Sequence, residues 1–216
     1  MSAGSPSAAA PRADAPRVDF PAAILAGGKS RRMGQNKSFL SIRGRPAVLL
    51  VAESLLEVFS DVYVVANEAA PYREMGFRVL GDLLAGNDSL GGLHAAVASA
   101  GAAGAAGEAR VFVTGCDMPT LQPALLDGLA SLAEGRDVVI PIYRGYPEPL
   151  CAVYSAACRE PIERSIEGGN LKMIAFHEEV RVLRVEEEVW RAWDPGALSF
   201  RNMNTPEDYD EIQAGR

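Results

Sequence analysis

The sequence predicts an α/β fold: a single three-layer domain with a mostly parallel sheet and helices on both faces. Three observations lead there. Short β-branched runs alternate with longer helical patterns from Phe20 onward, the signature of crossover units. The strand-like runs, such as Val62–Ala66 (VYVVA) and Val111–Gly115 (VFVTG), are apolar at nearly every position, as strands covered on both faces are. Glycines or carboxylates follow several of these runs, where open α/β sheets bind their ligands.

The elements follow in order. Residues 1–19 are rich in Ala, Pro and Ser without an apolar period and read as a disordered tail. Ala22–Leu25 reads as a buried strand running into glycines. Pro46–Phe59 has helical spacing, with Pro46 suited to a first turn. Val62–Ala66 and Phe77–Leu80 are strands, and Gly92–Ala102 is a helix whose exit is the Ala/Gly stretch to Gly107. Val111–Gly115 is a strand ending in Cys116-Asp117, and Pro123–Ala133 is a helix. Val138–Ile142 and Leu150–Tyr154 are strands, the second followed by a helix to about Glu167. Val180–Val185 is a late strand and Pro206–Gln213 a last helix. No internal repeat or second linker interrupts this pattern, so residues 20–216 form one domain.

Composition narrows the function. The chain has 216 residues, enough to bury a core without a disulfide or structural metal. With 48% hydrophobic and 23% charged residues it is neither disordered throughout nor fibrous. Its 21 Lys+Arg against 28 Asp+Glu give a net charge of −7, which argues against a general nucleic-acid binder. The three cysteines, Cys116, Cys151 and Cys158, show no CxxC spacing, and His94 and His177 are far apart. That pattern offers no zinc site or disulfide framework and suits free thiols in a reducing compartment. No apolar run reaches the ~18 residues of a membrane span, and no secretory pattern opens the chain. The expectation is a cytoplasmic protein.

Three strand exits carry chemistry. After the first strand comes Leu25-Ala-Gly-Gly-Lys-Ser-Arg-Arg-Met-Gly-Gln-Asn-Lys37. Gly27 and Gly28 let a backbone approach a ligand closely, and consecutive amides in such a turn form an anion-binding concavity. Lys29, Arg31, Arg32, Lys37, Arg43 and Arg45 fall here with no acidic residue among them, an asymmetry that suits a polyphosphate. A solvated basic loop is the plainer alternative. A P-loop would need Gly where Ala23 stands, and glycines 27, 28 and 34 do not fit the dinucleotide fingerprint.

The second exit, Gly81 to Gly92, enters a helix. Asp82 or Asp88 can accept from a ring N–H and an exocyclic amine, as guanine offers, or can serve as a turn or cap carboxylate. His94 reads as a packing or surface residue. At the third exit, Cys116-Asp117-Met118-Pro119, a carboxylate directly after a buried strand suits Mg²⁺ carried on substrate phosphates, or caps a helix.

In this order the pieces resemble the molybdenum cofactor guanylyltransferases, and more broadly the nucleotidyltransferases that open with L-A-[GA]-G-x-S-x-R-M-G-x-x-K. Leu25, Ala26, Gly27, Gly28, Ser30, Arg32, Met33, Gly34 and Lys37 all fit, supported by Asn67, Asp82, the Gly91-Gly92 turn, Cys116-Asp117-Met118-Pro119 and Asn202-Met-Asn-Thr-Pro-Glu-Asp208. The resemblance spans residues 20–213. It implies a Rossmann-like nucleotidyltransferase fold and transfer of GMP from Mg·GTP to molybdopterin, with release of pyrophosphate.

Carried over by position, Leu25, Ala26, Gly27 and Gly28 form the nucleotide loop. Lys37 contacts phosphate and Arg32 belongs to the same catalytic loop. Asn67 and Asp82 bind the GTP nucleoside, and Asp117 holds Mg²⁺ and contacts GTP. Asn202 and Asn204 lie on the pterin side. The resemblance also implies transient contact with molybdoenzymes or their chaperones, and no nucleic-acid or membrane partner. Gly27 points to GTP, since the cytidylyltransferase branch typically has Ala there.

Two departures stand out. Asp88-Ser89-Leu90 replaces the common Gly-Pro-Leu. Gly168-Gly169-Asn170-Leu171-Lys172 stands where the family often shows Gly-Glu-Arg, and by the resemblance Lys172 would replace the basic contact to the pterin phosphate. The alternatives are a CTP-dependent molybdopterin or sugar-phosphate nucleotidyltransferase, and a silent nucleotide-binding or cofactor-delivery module.

Overall fold

The structure, a computed structural model, describes residues 18–26, 36–81, 88–103 and 109–215, with the backbone alone of Asp88 and Ala103. Gly27, Gly28, Arg32 and Asp82 therefore lie outside the described residues.

The strands are β1 (Ala22–Leu25), β2 (Ser41–Ile42), β3 (Arg45–Pro46), β4 (Val62–Val65), β5 (Arg78–Leu80), β6 (Arg110–Gly115), β7 (Val138–Tyr143), β8 (Tyr146–Pro147), β9 (Cys151–Ser155) and β10 (Val182–Val185). The helices are α1 (Ala47–Leu56), α2 (Ala70–Glu74), α3 (Asp88–Ala103), α4 (Pro123–Ser131), α5 (Arg159–Glu167), α6 (Glu187–Trp190) and α7 (Pro206–Ala214). The main sheet has the order β10-β7-β9-β6-β1-β4-β5, with β8 attached to β7. β5, β4, β1 and β6 run parallel, β9 runs against both β6 and β7, and β10 is parallel to β7.

The apolar strands do what their composition demands. Ala22 and Ile24 of β1 face one buried cluster with Val62 and Val64 of β4; Ala23 and Leu25 face the other with Tyr63 and Val65. On the first face the cover is α1, through Val48, Val51 and Leu55, and α4, through Leu125 and Leu129. On the second it is α3, through Leu90, Leu93 and Val97, and α5, through Ile162. A strand sandwiched in this way leaves few positions for a polar side chain, such as the fully buried Thr114 of β6.

β1 is the pivot. The chain leaves it toward β4 and β5 and then returns to its other side as β6, so Leu25 lies opposite both Val65 and Gly115. This is the topological switch point, where the loops after two adjacent parallel strands diverge and leave a crevice.

Several boundaries differ from the sequence reading. α3 begins at Asp88, so Gly91 and Gly92 are inside a helix and form no turn. Burial of Leu90 and Leu93 outweighs the helix cost of glycine, about 1 kcal/mol each. α1 stops at Leu56, Pro46 precedes it with an extended ψ of 136°, and Phe59 bridges to Val18 instead of continuing the helix. Two hairpins went unread, β2–β3 and β7–β8. Each turns on an Arg-Gly pair with positive φ, Arg43-Gly44 (48° and 82°) and Arg144-Gly145 (51° and 80°), the geometry of a two-residue hairpin loop. Among the described residues, no helix is long and apolar enough to cross a membrane.

Asp137 ties the far edge of the sheet together. It is buried at the start of β7; its carboxylate accepts from the Arg181 backbone N–H and Nε at 2.9 Å, from Arg181 Nη2 at 2.9 Å and from Ser155 Oγ at 3.3 Å. The Arg181 guanidinium, helped by that backbone amide, holds the carboxyl down at about 2, against an ordinary 3.8. Because the folded value is depressed, this stabilisation is present above the ordinary aspartate range and is lost as pH falls from about 4 toward 2. We expect Asp137→Ala to cost about 2 kcal/mol in urea unfolding at pH 7, and the gap between the two proteins to shrink below about pH 3.

Candidate active site

Three segments from different parts of the chain meet at the switch point. The first follows β1. Ala26 N–H donates to Val65 O at 2.9 Å, which continues the sheet by one residue. Ten positions later Asn36 caps a single helical turn over Lys37–Phe39, its Oδ1 accepting from Ser38 N–H at 3.1 Å. Tyr72 of α2, 1% exposed, pins both ends of this connection: its hydroxyl accepts from Asn36 Nδ2 at 3.2 Å, donates to Ser38 Oγ at 2.8 Å and lies 3.4 Å from Ala26 O. The capped turn presents Lys37.

The second segment follows β6. Cys116 N–H donates to Leu25 O at 3.2 Å, holding the exit of β6 against that of β1, and Asp117 comes next. Burial pushes the Cys116 thiol up to about 11, so it stays protonated beside the carboxylate and is not a nucleophile. Gly115 makes room for Asp117: a Cβ there would sit 2.5 Å from Asp117 Oδ1.

The third segment precedes α7. Met203 is fully buried among Ile42, Ala47 and Ile212, and its N–H donates to Asp117 O at 2.9 Å. Thr205 and Asp208 form a capping box, and Asp208 Oδ2 also accepts from Asn204 N–H at 3.0 Å. Asn204 is thereby fixed at the helix entry.

The segments converge on one ammonium group. Lys37 Nζ donates to Asn204 Oδ1 at 2.7 Å and stands 3.3 Å from Asp117 Oδ2, across chain separations of 167 and 80 residues. The Lys37 and Asp117 side chains are only 12% and 21% exposed, so their attraction is screened less than that of a surface pair.

The structure sorts the other sequence-predicted residues. Leu25 is buried and Ala26 half-buried at the exit of β1; Asn67 is exposed at the exit of β4, on the same edge of the sheet. Asn202 lies two residues before Asn204 and lines a groove of about 620 Å³ with it. Of the three described cations in the basic stretch, Lys37, Arg43 and Arg45, Lys37 reaches the site, while Lys29, Arg31 and Arg32 lie outside the described residues. Arg43 instead binds the end of α7 through Gln213, and Arg45 pairs with Glu53 of α1. His94 is a packing residue: it is buried, and its Nε2 meets Glu163 Oε1 at 2.7 Å, joining α3 to α5.

The sequence reading missed Asn36, Ser38, Tyr72 and Gly115. Gly115 did leave a signal, since a glycine at the end of a buried strand marks a close approach. The others act through hydrogen bonds that no local period announces.

The donor set limits which cation could bind. Among the described residues no group of three or more His, Cys, Asp or Glu side chains could hold a metal. A single hard carboxylate, Asp117, fits a small dication that arrives on nucleotide phosphates and keeps much of its water.

The family model for the MobA-like NTP transferase domain matches residues 22–182. A probable molybdenum cofactor guanylyltransferase from Pelotomaculum thermopropionicum is 40% identical, over 86% of this chain and 87% of that protein. A molybdenum cofactor guanylyltransferase from Desulfosudis oleivorans is 37% identical, over 88% and 93%. The crystal structure of molybdopterin-guanine dinucleotide biosynthesis protein A from Archaeoglobus fulgidus superposes with a TM-score of 0.76 at 27% identity, covering 90% of this chain and 97% of that one. The chain belongs to the MobA-like nucleotidyltransferases, in the family of the molybdenum cofactor guanylyltransferases.

Proposed function

We propose that this protein transfers GMP from GTP to the phosphate of molybdopterin, forming molybdopterin guanine dinucleotide and releasing pyrophosphate. The observation that carries this reading is the meeting of Lys37, Asp117 and Asn204 at the switch point, in a chain whose relatives are named for that activity. Mg²⁺ is the cation proposed for Asp117; when bound it would neutralise phosphate charge. The protein works in the cytoplasm, and the acceptor side meets the molybdoenzymes or chaperones that take the product.

The chemistry is phosphoryl transfer between two anions. The acceptor is a phosphate monoester, already ionised, so its oxygen can attack the α-phosphorus of GTP in line while the bond to pyrophosphate breaks. No hydroxyl proton has to be removed, and no histidine base is required. The barrier is electrostatic and positional. Lys37 turns its ammonium toward the phosphates, and Asn204 Oδ1 and Asp117 Oδ2 aim it before they arrive. Asn36, Ser38 and Tyr72 hold the turn that carries it. Gly28, Gly27 and Arg32 supply amides and charge along the loop, and Asn67 with Asp82 holds the nucleoside.

Lys37→Ala and Asp117→Ala are each expected to lower turnover at least about 10²-fold while leaving cooperative unfolding intact; wild-type turnover in either sinks the assigned roles. Gly115→Ala should behave similarly, because displacing a reacting-site carboxylate by even about 1 Å can cost ~10²-fold in rate. Its far-UV circular dichroism should match wild type. Mass spectrometry of the pterin product after incubation with all four nucleoside triphosphates tests the base: the guanine dinucleotide is expected, and a cytosine product overturns the assignment.

A further inference from the structure

The arm that carries Lys37 does not end at its capped turn. It runs on through Leu40 into the β2–β3 hairpin, which forms a sheet of its own, apart from the main one. A hairpin of two-residue strands is marginal by itself, so its place is set by what packs against it.

What packs against it is α7. Ile42 of β2 and Ala47 at the start of α1 are buried with Met203 and Ile212, and Leu50 and Tyr209 close the margin of this third cluster. Tyr209 and Gln213 lie four residues apart on one face of α7, both half-buried, and both bond the hairpin backbone. Tyr209 Oη donates to Ser41 O at 2.6 Å, and Gln213 Nε2 donates to Ser41 O and to Tyr209 Oη, each at 2.8 Å. Gln213 Oε1 accepts from Arg43 N–H at 2.7 Å, and Gln213 O accepts from Arg43 Nε at 3.3 Å. The glutamine amide thus meets a backbone carbonyl and a backbone N–H of the hairpin, as a neighbouring strand would.

The other end of the same helix holds the lysine itself. Asn204 Oδ1 accepts from Lys37 Nζ, and Met203 N–H donates to Asp117 O. α7 therefore fixes Lys37 twice, at the tip of its side chain and through the backbone just beyond it. A lysine stem is flexible, and aiming its ammonium requires both points. Neither Tyr209 nor Gln213 lines the groove beside Asn204, so their route to the reaction runs through Lys37.

We propose that α7 is a strap that preorganises the catalytic lysine, with Tyr209 and Gln213 as its positioning residues: their bonds to the β2–β3 hairpin set where Lys37 stands, and Asn204 sets where its ammonium points. This rests on the functional reading above and adds to it the element that holds Lys37 ready.

The test replaces both residues in the full chain, Tyr209→Phe with Gln213→Ala. Lysine acetylation by acetic anhydride, mapped by mass spectrometry, reads the position of Lys37 without any substrate. Its side chain is 12% exposed in the strapped protein, whereas Lys172 is exposed and serves as the internal reference. The ratio of Lys37 to Lys172 labelling is expected to rise about fivefold or more in the double variant, the effect of losing a hydrogen bond or two. Its kcat should fall about tenfold. On a Lys37→Ala background the same pair of changes should lower the residual kcat by less than about twofold, because a strap without its lysine has nothing left to aim. Asp137→Ala, which loosens the far edge of the sheet, should leave the labelling ratio at its wild-type value. An unchanged ratio, an equal loss of kcat on both backgrounds, or the same rise in Asp137→Ala overturns the proposal. If the double variant does not unfold cooperatively, Tyr209→Phe alone, which keeps the ring and removes one donor, carries the same comparison. Should the labelling ratio rise as expected while wild type makes no dinucleotide, the transfer reading fails and the strap stands.

Discussion

The contact of Lys37 with both Asn204 and Asp117 is the interaction on which the site depends. It exists because β1 and β6 lie side by side and parallel, so that the loops leaving Leu25 and Gly115 open onto the same crevice. An extended lysine spans only a few ångströms from its backbone. The ammonium reaches a carboxylate 80 residues away because the sheet has already brought the two exits together. The fold's contribution to the chemistry is this preorganisation: charge and dipole are in place before the substrate arrives.

Around that contact, polar groups do different jobs according to where they are held. Asp208 lies close to Asn204, yet its carboxylate is satisfied by backbone amides and acts as a cap. Asp117 is offered to the crevice. The Glu148 carboxylate has no partner among the described residues. The same division holds for the cations, since Arg43 and Arg45 are taken up in holding α7 and α1 while Lys37 is aimed inward. The net charge of −7 therefore says little about the local field, which is set by the few charged groups, Lys37 and Asp117 among them, held in a partly desolvated crevice.

Much of the molecule was legible in the chain alone. The strands of the central sheet were readable because burial on both faces permits almost no polar residue, so VYVV and VFVTG announce themselves. The last helix, read from Pro206, was visible too, while the glycine-and-cation loop, whose pattern also carried the family resemblance, lies mostly outside the described residues. The short hairpins were not, because a two-residue strand such as β2 or β8 is too brief to show a period; only their Arg-Gly turns hinted at them. The start of α3 was misjudged for a related reason, since a local preference against glycine was outweighed by contacts that form only in the folded state.

The sequence by itself determined the class of fold, the positions of the central strands and the chemistry collected at two of their exits, because those depend on side-chain polarity and local conformational freedom. Only the tertiary structure decided that Lys37, and not Arg43 or Arg45, meets Asp117, and that Asn204 rather than Asn202 grips its ammonium. These outcomes depend on side-chain direction and on pairings across more than a hundred residues, such as Lys37 to Asn204 across 167. No local pattern encodes them; the packing of the sheet and its helices selects them.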